Sequence, residues 1–255
     1  MCLGRSTRLA DWISGGDKVY YAELRLGVTT STDDLEGEVL TERPVPSLTR
    51  DGVRGVLATF VGEITQRPPI YSAIKLGGQA AYRRARRGET VEVPERQVEI
   101  HRIDLVALDE RSLTIVVNCG KGTYIRSLAR DVGENLGCGA VLQRLVRLRV
   151  GGFSIGDSVS LDDLAALAET PDLGGALLPV DTALLHLPSM VLDQPRSSAA
   201  ALGQPWEAHR PSEGWVRAYD SVGDLLGLVR LDASDESAVS PPPRPWRLRR
   251  LLVDG

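Results

Sequence analysis

Cys119-Gly120-Lys121-Gly122-Thr123-Tyr124-Ile125-Arg126 decides the fold of this chain, because two different hydrophobic periods meet in it. Before it, Leu113 to Cys119 is rich in Val, Ile and Leu at strand length, the composition of a pleated, buried surface. After it, Ile125, Leu128, Ala129, Val132 and Leu136 stand at i, i+3, i+4, i+7 and i+11, one stripe of an amphipathic helix. The reading is strand, tight turn, helix. Thr123 is placed to cap the helix and Gly137 to close it.

Working outward, Gln97 to Ala107 is a second strand, joined to the first through Asp109-Glu110-Arg111 as an antiparallel pair. Further upstream, Val19 to Leu26 alternates as a strand, Gly27 to Gly37 reads as a loop, and a strand follows near Glu38 to Glu42. Thr49 caps a helix toward Val61. Tyr71 to Leu76 is extended, Gly77-Gly78 turns, and Gln79 to Arg87 is helical up to Gly88. Downstream, Leu145 to Phe153 is a strand and Ser160 caps a helix toward Ala168. The Pro- and Gly-containing stretch 171–179 reads as a linker, after which short strands such as Trp215 to Tyr219 and Leu225 to Leu231 mark a small β domain at 180–255. Ser240-Pro241-Pro242-Pro243-Arg244-Pro245 is stiff and extended, leading into Trp246 to Arg250.

At 255 residues and 42% hydrophobic content the chain can bury a large core. It has no apolar run long enough to span a bilayer and no secretory signal, so the expectation is a cytoplasmic protein. Cys2, Cys119 and Cys138 form no CxxC, and His101, His186 and His209 are scattered; neither disulfides nor a metal site is expected. The net charge of −4 hides a division. Residues 66–150 hold 15 Lys and Arg against 9 Asp and Glu, a net of +6, while residues 157–240 hold 4 against 14, a net of −10. A basic middle can face a phosphate backbone, or be an ordinary solvated surface.

Taken by themselves, Gly120 to Thr123 form either an anion-binding helix entry or a tight turn with a solvated lysine. The spacing departs from the G-x-x-x-x-G-K-[ST] phosphate loop, so a nucleotide-binding enzyme using this turn explains one motif only. Arg126 and Arg130 share a face away from the apolar stripe, and Arg126 lies in the first turn, where the helix dipole disfavours a cation. That placement suits a specific carboxylate or phosphate partner, with an exposed unpaired arginine as the alternative.

Cys119 to Leu128, with Leu136-Gly137-Cys138-Gly139-Ala140, resembles the bacterial tRNA pseudouridine synthases of the B type, the TruB family. Asp17-Lys18-Val19-Tyr20 is similar to the family's D-K-x-Y, and Pro68-Pro69-Ile70-Tyr71-Ser72-Ala73-Ile74-Lys75 to its P-P-x-Y-S-A-x-K segment. The resemblance covers nearly the whole chain and is weakest at the C-terminus. It implies an α+β fold, a mixed, largely antiparallel sheet flanked by helices, with a catalytic domain at 1–170 and a small C-terminal β domain of PUA-like type. It implies isomerisation of uridine to pseudouridine in the T-loop of tRNA, at position 55, by base flipping in a monomer without a cofactor. By position, Tyr20 stacks on the base and helps move a proton, Tyr124 lines the uridine pocket, Arg126 pairs with the catalytic aspartate and Leu145 supports the site. Tyr71, Lys75, Tyr82, Arg83, Arg86, Arg87 and Lys121 are its RNA-binding candidates. Without the resemblance, Tyr20 is an ordinary half-buried strand residue.

The family's aspartate lies in a G-x-L-D-P-x-A-x-G loop that would precede Cys2, and the 255 residues contain no such loop. Neither Asp11 nor Asp17 matches it. The expectation is a chain truncated at its N-terminus, lacking the first strand and inactive as given, with a noncatalytic RNA-binding or RNA-folding protein on the same scaffold as the alternative.

Overall fold

The computed structural model describes residues 2–72, 75–76, 79–85, 87, 93–202, 204, 206–207, 214–230 and 245–251. A 3-10 segment, Gly4–Leu9, runs into helix α1 (Ala10–Gly15), and the chain divides into two compact units, Gly16–Gly156 and Met1–Gly15 with Asp157–Gly255.

In the first unit the strands are β1 (Lys18–Leu26), β2 (Val28–Thr30), β3 (Val39–Glu42), β4 (Gly62–Gln66), β5 (Lys75–Leu76), β6 (Gln79–Ala80), β7 (Arg96–Leu108), β8 (Ser112–Cys119), β9 (Ala140–Val150) and β10 (Phe153–Ser154). Its helices are α2 (Arg50–Ala58), α3 (Ala81–Ala85) and α4 (Ile125–Asn135). Six strands form one sheet in the order β10-β9-β1-β8-β7-β4, every pairing antiparallel. One face of that sheet offers Ala22, Leu24, Leu113, Ile115, Val117 and Cys119, and α4 answers with Ile125, Leu128, Ala129 and Val132; all are buried in one cluster. Full burial of each large aliphatic side chain contributes about 1.5–3 kcal/mol, so this seam fixes the helix on the sheet far more firmly than the turn between them. Gly133 lets the helix come that close: a Cβ there would stand 2.1 Å from the backbone nitrogen of Ala140 at the start of β9.

Several expectations need correction. The residue flanking α4 is Tyr124, with no side-chain cap; the Thr123 hydroxyl instead donates to the Gly120 carbonyl at 3.2 Å and closes the turn. Gly27 to Gly37 is not all loop, since Val28–Thr30 pairs with β3. Gln79 and Ala80 pair with β5 as a hairpin, and among the described residues of this stretch Ala81–Ala85 is helical. Thr49 does cap α2, its side chain accepting from the Gly52 N–H, and Gly137, at φ 83°, follows α4.

The second unit contains α5 (Leu161–Ala168), β11 (Ser189–Val191), α6 (Gln194–Ala201), β12 (Trp206–Glu207), β13 (Trp215–Tyr219), β14 (Leu225–Arg230) and β15 (Pro245–Leu251), its strands ordered β11-β13-β14-β15-β12. The stretch 171–179 lies within it and includes a 3-10 segment, Pro171–Ala176. Leu9 packs with Leu184 and Leu228, and Trp12 meets Trp215 edge to face at 5.0 Å. The proline run at 240–244 lies outside the described residues. Among the described residues no helix is long and apolar enough to cross a membrane.

Candidate active site

Arg126 organises the site. It stands in the first turn of α4 with its guanidinium turned inward, donating to the Asp34 carboxylate at 2.9 Å, the Thr32 carbonyl at 3.3 Å and the Tyr71 carbonyl at 2.8 Å. The carboxylate that offsets its unfavourable place on the helix dipole is therefore Asp34. The residue-level reading asked for such a partner without naming one, and the family resemblance named the aspartate of a loop not among the 255 residues; the partner here is Asp34, 92 residues away in sequence.

The Asp34 loop is built to present that carboxylate. Asp34 accepts from the Thr32 hydroxyl and from the Glu36 N–H, and the Thr30 hydroxyl donates to its carbonyl. Asp33 sits at φ 61°, a left-handed conformation that short polar side chains tolerate better than most. Successive residues on an extended strand point opposite ways. This turn lets the neighbouring carboxylates meet two arginines one helical turn apart, Asp34 with Arg126 and Asp33 with Arg130 at 3.0 Å. Burial pushes the Asp33 carboxyl up despite the Arg130 charge; the two effects oppose, and burial is the larger. Ser31, Thr32, Asp34, Glu36, Gly37, Glu38, Tyr71 and Arg126 line a cleft of about 560 Å³.

Tyr124 is held from two sides. Gln66, at the end of β4 and fully buried, accepts from the Tyr124 N–H at 3.0 Å and donates to its carbonyl at 3.4 Å. Arg96, opposite Gln66 on β7, lays its guanidinium 4.5 Å from the ring centre of Tyr124 and donates to the Gly122 carbonyl. Neither Gln66 nor Arg96 stood out in the sequence, since a lone glutamine or arginine carries no pattern.

Tyr20 lies on β1 opposite Val117 of β8 and Arg147 of β9, and packs against the main core. Burial raises its phenol's proton affinity, with Arg147 opposing. Leu145 faces Ala22 across the same strand pair and is 43% exposed, an open apolar position two residues from Arg147. The Cys119 thiol is pushed up by burial.

Of the RNA-binding candidates, Tyr71 lines the Arg126 cleft, Lys75 lies on β5, Tyr82 and Arg83 on α3, and Lys121 in the turn before α4. Arg87 donates to Gln79 at 2.8 Å. Arg86 lies outside the described residues. No group of three or more His, Cys, Asp or Glu among the described residues is arranged to hold a metal.

A family model described as TruB family pseudouridylate synthase (N terminal domain) matches residues 1–125, and one described as tRNA pseudouridylate synthase B C-terminal domain matches residues 126–185. The chain is 43% identical over 234 residues to a protein of Xanthomonas campestris pv. campestris (strain B100) named tRNA pseudouridine synthase B, covering 91% of this chain and 76% of that one. A protein of the same name from Nitrosococcus oceani is 43% identical over 244 residues, covering 94% and 79%. Among solved structures, a chain of a Cbf5-Nop10-Gar1 complex superposes with a TM-score of 0.72 at 22% identity, covering 99% of this chain and 71% of that one. A chain of an H/ACA RNP bound to a substrate RNA containing 2'-deoxyuridine gives 0.70 at 20%, covering 98% and 70%. At such identities the structural likeness speaks for the fold alone.

Proposed function

The chain belongs to the TruB family of pseudouridylate synthases, and on that premise we propose that it isomerises the uridine at position 55 in the T-loop of tRNA. The observation that carries the proposal is the inward-turned Arg126. A first-turn guanidinium that spends its donors on Asp34, Thr32 and Tyr71 is a positioned electrostatic group rather than a solvated surface charge.

The reaction moves one base from a nitrogen to a carbon link. The N1–C1′ bond breaks, the base turns, C5 joins C1′, and a proton leaves C5 while N1 gains one. Nothing is oxidised and no group is lost, so the chemistry calls for a nucleophilic carboxylate and a proton carrier rather than a cofactor. The target base must first leave its stack for a closed pocket. Tyr20 offers it a ring to stack on, Tyr124 lines the pocket under the hold of Gln66 and Arg96, Leu145 gives an apolar edge, and Arg126 orients the carboxylate. The family's nucleophile loop is not among the 255 residues. In this reading the residues named above grip RNA and hold uridine, and the nucleophilic carboxylate of the reaction is the aspartate of a G-x-L-D-P loop. The acidic second unit includes the small PUA-like β domain, and the protein acts as a monomer in the cytoplasm.

Filter binding of a T-stem-loop hairpin across several salt concentrations tests the RNA contacts. Replacing Arg86 and Arg87 together with alanine should lower the slope of log affinity against log salt by about two if both meet phosphate, whereas Tyr82→Ala should weaken binding at unchanged slope. Unchanged slope and affinity in the double variant would return Arg86 and Arg87 to ordinary solvated charges.

A further inference from the structure

The end of the sheet around Tyr20 gathers more positive charge than the roles above use. Lys18 and Tyr20 are two apart on β1 and so share a face. Cys119 of β8 stands opposite Lys18, and Lys121 follows it by two residues in the turn. On the other side, Val19 pairs with Arg149 but Tyr20 pairs with Arg147, so Leu148 is the extra residue of a β-bulge. In an unbroken ladder Leu148 would face Tyr20. The bulge re-aims the strand and puts an arginine there instead.

Arg147 is exposed, and its guanidinium lies 5.8 Å from the Tyr20 ring centre, a contact that holds the fork in place without neutralising it. No carboxylate pairs with Arg147 among the described residues. The Lys18 ammonium is disfavoured by burial first, then by Arg147 and Lys121, with Cys119 and Asp17 acting the other way. Arg147, over the Tyr20 ring, and Lys121 both repel the Lys18 ammonium, and cations gathered this way are complementary to an anion.

We propose that Lys18, Lys121 and Arg147 seat the phosphodiester flanking the nucleotide whose base stacks on Tyr20. The chemistry makes such a seat useful. While the base is detached and turning, the sugar must stay where the new carbon link can close, and a fixed phosphate fixes C1′. This inference rests on the tRNA reading and on Tyr20 receiving the flipped base. It adds Lys18 and Arg147 to the RNA contacts.

The test measures binding of the 255-residue chain to two T-stem-loop hairpins, one ordinary and one with neutral methylphosphonate links on both sides of the target uridine. On the ordinary hairpin Arg147→Gln should lower the salt slope by about 0.7, the single-strand value for one phosphate contact. On the neutralised hairpin the same substitution should change nothing, and Arg147→Lys should keep the slope of the parent chain on both. Lys18→Gln gives the same comparison should Arg147→Gln fail to fold. An unchanged slope on the ordinary hairpin, or an equal drop on both, overturns the seat. Competition by inorganic phosphate at constant ionic strength, with no effect of neutralising the hairpin, would assign the cluster to a free anion and overturn it too. If the parent chain shows no affinity for the ordinary hairpin, the tRNA reading itself fails; if that affinity persists with a flat Arg147 response, only the seat does.

Discussion

Replacing Gln66 with leucine should destabilise the first unit by about 1–3.5 kcal/mol, and the structure says where that cost arises. Gln66 is fully buried and spends both ends of its amide on the backbone of Tyr124. The Tyr124 carbonyl also accepts from the Leu128 N–H at 3.1 Å, so it keeps a partner when the glutamine goes. The Tyr124 N–H does not. Orphaning one buried donor costs about 1–3 kcal/mol, and losing the long 3.4 Å bond adds at most about 0.5. Leucine nearly fills the space, which keeps the cavity contribution small. In urea, with a slope of about 2 kcal/mol per molar, the midpoint followed by circular dichroism should fall by roughly 1 M. Gln66→Glu sharpens the test. Its carboxyl is isosteric and, when protonated, both accepts from the N–H and donates to the carbonyl; burial raises its folded pKa above the ordinary ~4.3. The variant's stability should therefore be nearest the parent's below that value and decline as pH rises toward the folded pKa. A leucine variant with an unshifted midpoint, or a glutamate variant that gains stability with rising pH, would refute the clamp.

Gly133→Ala should prevent folding or cost several kcal/mol, since its Cβ would meet backbone atoms of Gly139 and Ala140 that cannot yield, while Gly55→Ala, with nothing within 4 Å, should stabilise α2 by about 0.5–1 kcal/mol; thermal melts of both variants compare them. Arg126→Ala should leave the salt slope of hairpin binding unchanged, because the guanidinium contacts protein rather than phosphate, and should speed hydrogen exchange in residues 31–37; a slope drop near 0.7–0.9 would show a phosphate contact instead. The hydrogen bond from Arg43 holds the Glu134 carboxyl below its ordinary range, so its contribution is present above the unfolded value and lost as pH falls through the folded one. Glu134→Gln should flatten that part of the acid side of a stability profile, and an unaltered profile would contradict the pairing.

What the sequence disclosed was whatever repeats at short range. The apolar stripe of α4 and the Val- and Ile-rich β7 and β8 carry their own periods, and the stripe residues Ile125, Leu128, Ala129 and Val132 are buried. Strand order was not legible, because β1 is inserted between β8 and β9 by pairings between residues as far apart in sequence as Arg25 and Ser112 or Lys18 and Val150. Nor could local reasoning foresee that Gly4–Leu9 and α1 belong with the C-terminal unit, where Leu9 meets Leu184 and Leu228. Within the site, Tyr20, Tyr124, Arg126 and Leu145 came from motif resemblance. Asp34 and Gln66 were missed, since a carboxylate in a polar loop and a single glutamine acquire meaning only when the fold brings them to Arg126 and Tyr124. Thr123 was misread because a hydroxyl before a helix can close a turn as readily as cap it.

The most direct measurement of the account is tritium release from a T-stem-loop hairpin labelled at C5 of its uridines, made with Met1–Gly255 and with the same chain preceded by a segment carrying a G-x-L-D-P loop. The account predicts that the extended chain releases label from position 55 alone, that Asp→Asn in the added loop stops it, and that Met1–Gly255 binds the hairpin and releases none. Turnover by Met1–Gly255 itself, or an extended chain that binds the hairpin and still leaves uridine 55 unchanged, would contradict it.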